Sequence, residues 1–273
     1  MTYTPYSNSG DCKTRDEVSS DIAAIAAKGF ASVRLYSTDC SGLQNIGDAA
    51  VANGLSMILG LFIDIKGISG AAEQVAALTA FDHWSSVELV VIGNEAIFNG
   101  YCSATELAAF IATCRAAFKL VGYSGLVTTT ETMSVWENNK DVLCAATDIT
   151  GVNMHPFFST PPPLSFPFTS STNPQPTDAA VSADTAGTFA LDSQKQAEAL
   201  CPGHDARNLE VGWPTQGSCN GLACPGVEEQ KTAISSILEL TGSKSVIFSF
   251  QNDMWKEPGT YGCEQYWGVS DLF

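Results

Sequence analysis

Leu55-Ser56-Met57-Ile58-Leu59-Gly60-Leu61-Phe62-Ile63 is an almost unbroken apolar run, closed by Asp64. It is far too short to span a membrane, which takes about 20 apolar residues. A strand with one wet face alternates apolar and polar residues. A continuous run marks a strand of a parallel sheet, buried on both faces. Parallel neighbours need crossover connections, so helices are expected on either side. Residues 43–52 read as a weak helix ended by Asn53-Gly54, and residues 71–81 are helical in composition. Residues 88–93 form the next buried run, and Asn94-Glu95 follow it directly.

The same alternation extends outward. Toward the N-terminus, residues 31–36 predict a strand and residues 2–5 an earlier one. Between them Thr14-Arg15-Asp16-Glu17 is a capping box, and Val18, Ile22 and Ile25 follow at helical spacing up to Gly29. Toward the C-terminus, Ser103-Ala104-Thr105-Glu106 is a second capping box. Leu107, Phe110, Ile111, Cys114 and Phe118 mark one face of its helix. Strands are expected at 126–130, closed by Glu131, at 149–153, around Leu209-Glu210-Val211 and at 246–250. Helices are expected at 135–146, 182–200 and 227–240. The stretch 156–176, rich in Pro, Ser, Thr and Phe, is too long for an ordinary connection and is expected to be a functional loop or flap. Eight strands, each but the last followed by a helix, predict an α/β fold: one (β/α)8 TIM barrel over residues 1–273, with its active site at the C-terminal ends of the strands. An open doubly wound sheet would more often carry a Gly-rich phosphate loop, and neither G-x-G-x-x-G nor a P-loop occurs.

Composition narrows the function. The formal net charge of −16 argues against nucleic acid and anionic membranes as partners. Hydrophobic residues make up 45% and charged residues 15%, as in a globular protein acting on a neutral substrate. Nine cysteines with only three histidines and no C-x-x-C spacing favour disulfides over zinc. An oxidising compartment, extracellular or cell wall, is therefore expected. Nine is odd, so at least one thiol is unpaired or bridges to another chain. The opening Met1-Thr2-Tyr3 has no basic, apolar leader, and the expectation is a mature form with an added start methionine. No Asn-X-Ser/Thr sequon occurs. The chain ends at Asp271-Leu272-Phe273 without the Ser/Thr-rich tail expected of a wall-attached structural protein. A monomer without metal or cofactor is expected.

The strand ends carry Tyr36, Asp64, Asn94-Glu95, Glu131, Asn153-Met154-His155, Glu210 and Gln251-Asn252-Asp253. Carboxylates, amides and aromatics with little positive charge suit a sugar polymer rather than a phosphate. Gly122-Tyr123-Ser124-Gly125 misses the G-x-S-x-G spacing of a serine hydrolase. Glu95 and Glu210 close the fourth and seventh expected strands, which face each other across a barrel. A carboxylate on a buried strand either has an ion partner, here Arg34 or Lys256, or performs chemistry. Two facing glutamates are the pair that glycoside hydrolysis requires. By position alone Asp64 and Glu131 are carboxylates of the same type.

Val91-Ile92-Gly93-Asn94-Glu95 and Glu210-Val211-Gly212-Trp213-Pro214 resemble the two signature segments of glycoside hydrolase family 17, the β-1,3-glucanases and glucanosyltransferases. Arg34-Leu35-Tyr36 with Asp39-Cys40, Asn153-Met154-His155-Pro156-Phe157-Phe158, Asp253-Met254-Trp255-Lys256 and Glu264-Gln265-Tyr266-Trp267-Gly268 extend the likeness in order along the chain. The resemblance implies a retaining mechanism with Glu95 as acid/base and Glu210 as nucleophile. It also implies a β-linked glucan substrate, and a polar cluster of Asp253, Lys256 and Glu264 beside the cleft. Val211 departs from it, since Thr or Ser is usual there. Tyr36 is read as a hydrogen-bond donor to Glu210, and Asn94 as a partner of the sugar 2-hydroxyl. Asn153 and His155 are substrate-side candidates at a strand end, although His155 also reads as a structural histidine. Phe157 and Phe158 are candidates for a subsite floor or for packing under the loop, Trp213 is read as a sugar-stacking ring rather than a filler of the barrel mouth, and Trp255 and Trp267 are assigned to packing. Hydrolysis is the first expectation, transfer to a second glucan the alternative, and a non-catalytic carbohydrate-binding wall protein the third reading.

Overall fold

A computed structural model describes residues 1–158 and 181–273 of the chain. Seven parallel strands follow one another in space as they do in sequence. They are β1 (Ser32–Arg34), β2 (Ser56–Leu61), β3 (Val87–Asn94), β4 (Leu126–Glu131), β5 (Thr150–Asn153), β6 (Ala206–Val211) and β7 (Ser245–Ile247). The helices between and around them are α1 (Arg15–Ala27), α2 (Gly42–Ala52), α3 (Ala72–Thr79), α4 (Ala104–Leu120), α5 (Met133–Ala146), α6 (Ala186–Leu200) and α7 (Val227–Thr241). Both capping boxes form, with Thr14 and Glu17 opening α1 and Ser103 and Glu106 opening α4.

The expected first strand is reduced to a few residues, yet it closes the barrel. Tyr3 N–H donates to Arg34 O (2.9 Å) and Arg34 N–H to Met1 O (2.8 Å) on one side. On the other, Thr2 N–H donates to Ile247 O (2.9 Å) and Phe250 N–H to Thr2 O (3.2 Å). Counted with this stave, the seven strands make a nearly closed (β/α)8 TIM barrel. Of the stretch 156–176, residues from 159 onward lie outside the described residues, and so does the loop function expected there.

The apolar run at 55–63 does what a doubly buried strand must. Met57, Leu59 and Leu61 pack outward against the helix layer. Ile58 turns inward to join Leu89, Val91, Ile149, Leu209 and Val246 in a small core inside the barrel. Gly60 is required by close approach, since a Cβ there would stand 2.4 Å from Leu35 O. Three disulfides, Cys12–Cys40, Cys144–Cys201 and Cys219–Cys224, tie surface segments. Cys102, Cys114 and Cys263 are free thiols.

Candidate active site

Arg34 at the end of β1 is the unusual residue inside the barrel, a cation only 1% exposed. An unpaired buried charge is costly, so its partners matter. Its guanidinium donates to the carbonyl of Leu209 and to Asn94 Oδ1 (2.8 Å), and stands 3.6 Å from Glu210 Oε2. One buried cation thus touches the strand ends that carry both candidate glutamates.

Glu210 reaches the mouth because the ladder slips around it. The register shifts between Val152 and Asn153 on β5, and between Asn208 and Val211 on β6. Such irregularities re-aim side chains near sites. Buried Asn208 takes up the displaced backbone groups. Its Oδ1 accepts from the N–H of Met154 (3.1 Å) and Glu210 (3.2 Å), and its Nδ2 donates to Met154 O. The Glu210 carboxylate then meets two donors and a cation. Tyr36 Oη donates to Oε2 at 2.7 Å, His155 Nε2 lies 3.1 Å from Oε1, and Arg34 supplies charge. Burial alone would push its pKa up. The His155 hydrogen bond and charge, the Arg34 charge and the Tyr36 bond outweigh burial and hold it at about 2.

Glu95 is held differently. It follows β3 with φ at +53°, left-handed backbone that a residue of this size seldom adopts. Its N–H donates to Thr130 O (2.8 Å) on β4. Asn153 Nδ2 donates to Glu95 Oε1 (3.1 Å), and Thr130 Oγ1 donates to Asn153 Oδ1 (2.8 Å), which turns the amide nitrogen toward the glutamate. Burial raises the pKa of Glu95, and the charge of Glu210 raises it further. One cleft therefore offers an ionised carboxylate and a second carboxyl held toward its protonated form.

The cleft encloses about 980 Å³ and is lined by both glutamates together with Tyr36, Asn94, His155, Lys256 and Glu264. Asn153 lies just beneath it, against Glu95 and Asn94. Asp253 is buried below the wall, where it accepts from Thr4 Oγ1 (2.8 Å) and pairs with Lys256 Nζ (2.9 Å). The Lys256 ammonium also stands 4.5 Å over the Phe248 ring. Burial raises the pKa of Glu264, and Lys256 and His155 oppose that rise.

Two aromatic expectations are corrected. Trp213 is fully buried, donates Nε1–H to Cys224 O (3.0 Å) and packs edge-on against Phe157, so no sugar can stack on it. Gly212 lets the backbone of Phe248 approach closely there, because a Cβ would stand 2.2 Å from Phe248 O. Phe157 is equally buried among Phe158, Trp213, Tyr261 and Trp267 and forms no subsite floor. The ring that reaches the cleft is its neighbour Phe158, 41% exposed. Of the two tryptophans assigned to packing, Trp267 is buried in the core at the edge of the cleft, whereas Trp255 is exposed on its wall, edge-on to Tyr6 across 5.0 Å. The sequence offers Arg34 as an ion partner for the glutamates, and nothing in its position along the chain reveals that it also binds Asn94. Asp64 lines the far side of the cleft, whereas Glu131 is completely buried. Among the described residues no group of three or more His, Cys, Asp or Glu side chains could hold a metal ion.

Comparison with known proteins accords with this geometry. The chain is 50% identical over its full length to the "probable beta-glucosidase btgE" of Aspergillus fumigatus, and 40% identical to that of Emericella nidulans. It spans about half the length of these curated relatives, 45% and 47% respectively. In fold it is similar to a glycoside hydrolase family 17 β-1,3-glucanosyltransferase from Rhizomucor miehei, with a TM-score of 0.78 at 19% identity over 100% of this chain and 93% of that one. An endo-laminarinase from Formosa aligns with a TM-score of 0.77 at 17% identity, over 98% of this chain and 81% of the other. These two likenesses are of fold. The match to the BtgE/BtgC glycoside hydrolase domain runs over residues 1–268, and the chain belongs to that family.

Proposed function

We propose that this glycoside hydrolase domain is a retaining β-1,3-glucan hydrolase of the family 17 type, working by double displacement. The observation that carries the reading is the opposite poise of two glutamates in one cleft, Glu210 ionised down to about pH 2 and Glu95 held toward its protonated form. A pair whose environments push their pKa values apart divides into nucleophile and acid. In the first step a Glu210 oxygen attacks the anomeric carbon. The bond to the leaving sugar breaks, and Glu95 gives its proton to the departing oxygen. Glu210 is then esterified to the sugar. In the second step water gives a proton to Glu95 and attacks the same carbon, which frees Glu210.

The cleft volume, near the top of the range for small-molecule sites, supports an oligosaccharide rather than a single sugar. The β-1,3 linkage is supported by the ordered motif likeness to family 17 and by a fold shared with enzymes named for that linkage. A second glucan in place of water would make the same intermediate a transfer product. The three disulfides support a site of action outside the reducing cytosol.

Proton NMR during turnover of laminaripentaose tests the mechanism. The β-anomer of the new reducing end is expected first, and an α-anomer formed first would overturn retention. Product sizing on the same oligomer separates the two fates. Products longer than the starting oligomer as the main species would make transfer the principal activity.

A further inference from the structure

Glu131 is the last residue of β4 and its carboxylate is completely buried. Among the described residues no Lys, Arg or His stands within ion-pair distance of it. Its oxygens are filled by backbone instead. Oε1 accepts from Ile97 N–H (2.8 Å) and Oε2 from Phe98 N–H (3.2 Å). Those amides open the turn that begins at Glu95, in which Asn99 N–H donates to Glu95 O (3.0 Å) and Tyr101 N–H to Ala96 O (2.9 Å). Free N–H groups at the start of such a turn form a cradle for an anion.

The preceding residue acts on the same segment. Thr130 O accepts from Glu95 N–H, and the Thr130 hydroxyl orients Asn153 onto the Glu95 carboxyl. The last two residues of β4 therefore hold Glu95 on both sides. That hold has a specific task. Glu95 sits at φ +53°, and left-handed backbone at a non-glycine residue persists only where the surroundings over-determine it. We infer that Glu131 is a positioning residue for the acid/base glutamate, fixing the 95–98 turn so that the Glu95 carboxyl faces the scissile oxygen. The inference rests on the acid/base reading of Glu95. The ionisable groups facing Glu131 are Glu95 and the half-buried thiol of Cys102.

A structural role in the turn and a positioning role toward the proton donor differ in leaving-group dependence. Cleavage of a natural glucan needs a proton from Glu95, whereas a dinitrophenolate leaves without one. The test measures kcat/KM, which reports the first displacement, on laminaripentaose and on 2,4-dinitrophenyl β-laminaribioside. Wild type, Glu131→Ala, Glu131→Gln and Glu95→Gln are compared. For Glu131→Ala a loss of about 100-fold is expected on the pentaose, the scale of a 1 Å misplacement, and a loss of only a few-fold on the aryl substrate. Glu131→Gln keeps the shape and one acceptor oxygen and should lose less, with the same bias; it decides the matter if the alanine variant does not fold. Equal losses on both substrates, or a lowered Tm with unchanged kcat/KM, would overturn the inference. If Glu95→Gln shows the bias and the Glu131 variants do not, only the role of Glu131 falls. If Glu95→Gln shows no bias, the acid/base reading itself fails.

Discussion

Among the described residues, Glu210 at the end of β6 meets two donors and a cation, whereas Glu95 at the end of β3 meets one donor. Tyr36, His155 and Arg34 surround the first carboxylate, and among the described residues Asn153 is the hydrogen-bond donor to the second. Both are partly buried, so desolvation pushes both pKa values up. Only at Glu210 do donors and positive charge reverse that push. The charge so retained then acts on Glu95 and raises it further. The asymmetry is thus self-reinforcing: fixing one glutamate as an anion helps to keep its neighbour protonated.

The largest way to break the comparison is to remove each carboxylate in turn. Glu210→Gln should cost on the order of 10⁴-fold or more on every substrate, since the amide cannot form the ester. Glu95→Gln should cost about 10²- to 10⁴-fold on laminaripentaose, the worth of a general acid. Its loss should shrink to a few-fold in kcat/KM on a dinitrophenyl glycoside. If the two variants show the same leaving-group dependence, the two carboxylates do not have distinct roles.

A smaller effect comes from trimming the donors at Glu210. A hydrogen bond to a charged group is worth about 1.5–3 kcal/mol. Tyr36→Phe should lower kcat/KM by roughly tenfold or somewhat more on that basis. It should also move the acid limb of the pH profile. In the wild type that limb is expected at about 2, set by Glu210, and the basic limb above the ordinary 4.5 of a glutamate, set by Glu95. Removing a donor from the charged form raises its pKa, so the acid limb of Tyr36→Phe should rise by about one unit. A limb that stays fixed would show that His155 and Arg34 alone hold the carboxylate.

How much of this was legible in the residues divides along the same line. The doubly buried run at 55–63, the two capping boxes and the repeated strand-then-helix order were enough for the barrel. Glu95 and Glu210 stand out because each closes a buried strand at facing places, and the Tyr36 hydroxyl read as a donor to Glu210 does lie in hydrogen-bond contact with it. Direction was what the order of residues did not reveal. Phe157 and Phe158 are neighbours of one type, yet the first is buried and the second lines the cleft. Trp213 stands just past a strand end, as a stacking ring would, but it points into the core against Phe157. Arg34 could not be recognised as a bridge, because its partners Leu209, Asn94 and Glu210 come from other strands. The short first stave escaped in length alone, since its bonds go to β1 and β7, which are remote in sequence.

Glu131 sharpens the comparison as a third carboxyl, with backbone donors and no cation. Burial pushes its pKa up to about 7, and the N–H groups of Ile97 and Phe98 reduce that rise without cancelling it. Its folded value therefore lies above the ordinary 4.5, and the folded state holds the proton more tightly. Stability from this group is fully present below pH 4.5 and is lost as pH rises through 7, by at most about 1.4 kcal/mol per unit. Glu210 runs the other way, its contribution present above pH 4.5 and lost as pH falls toward 2. Thermal unfolding of the wild type between pH 5 and 7.5 should show Tm falling by several degrees, at about 2–4 °C per kcal/mol for a chain of this size. Glu131→Gln cannot ionise and should flatten that slope while leaving the acid side unchanged. If the two Tm curves run parallel, Glu131 is already charged at pH 5. The backbone cradle would then outweigh burial, and two side-chain donors with a cation would not be needed to keep a glutamate ionised in this barrel.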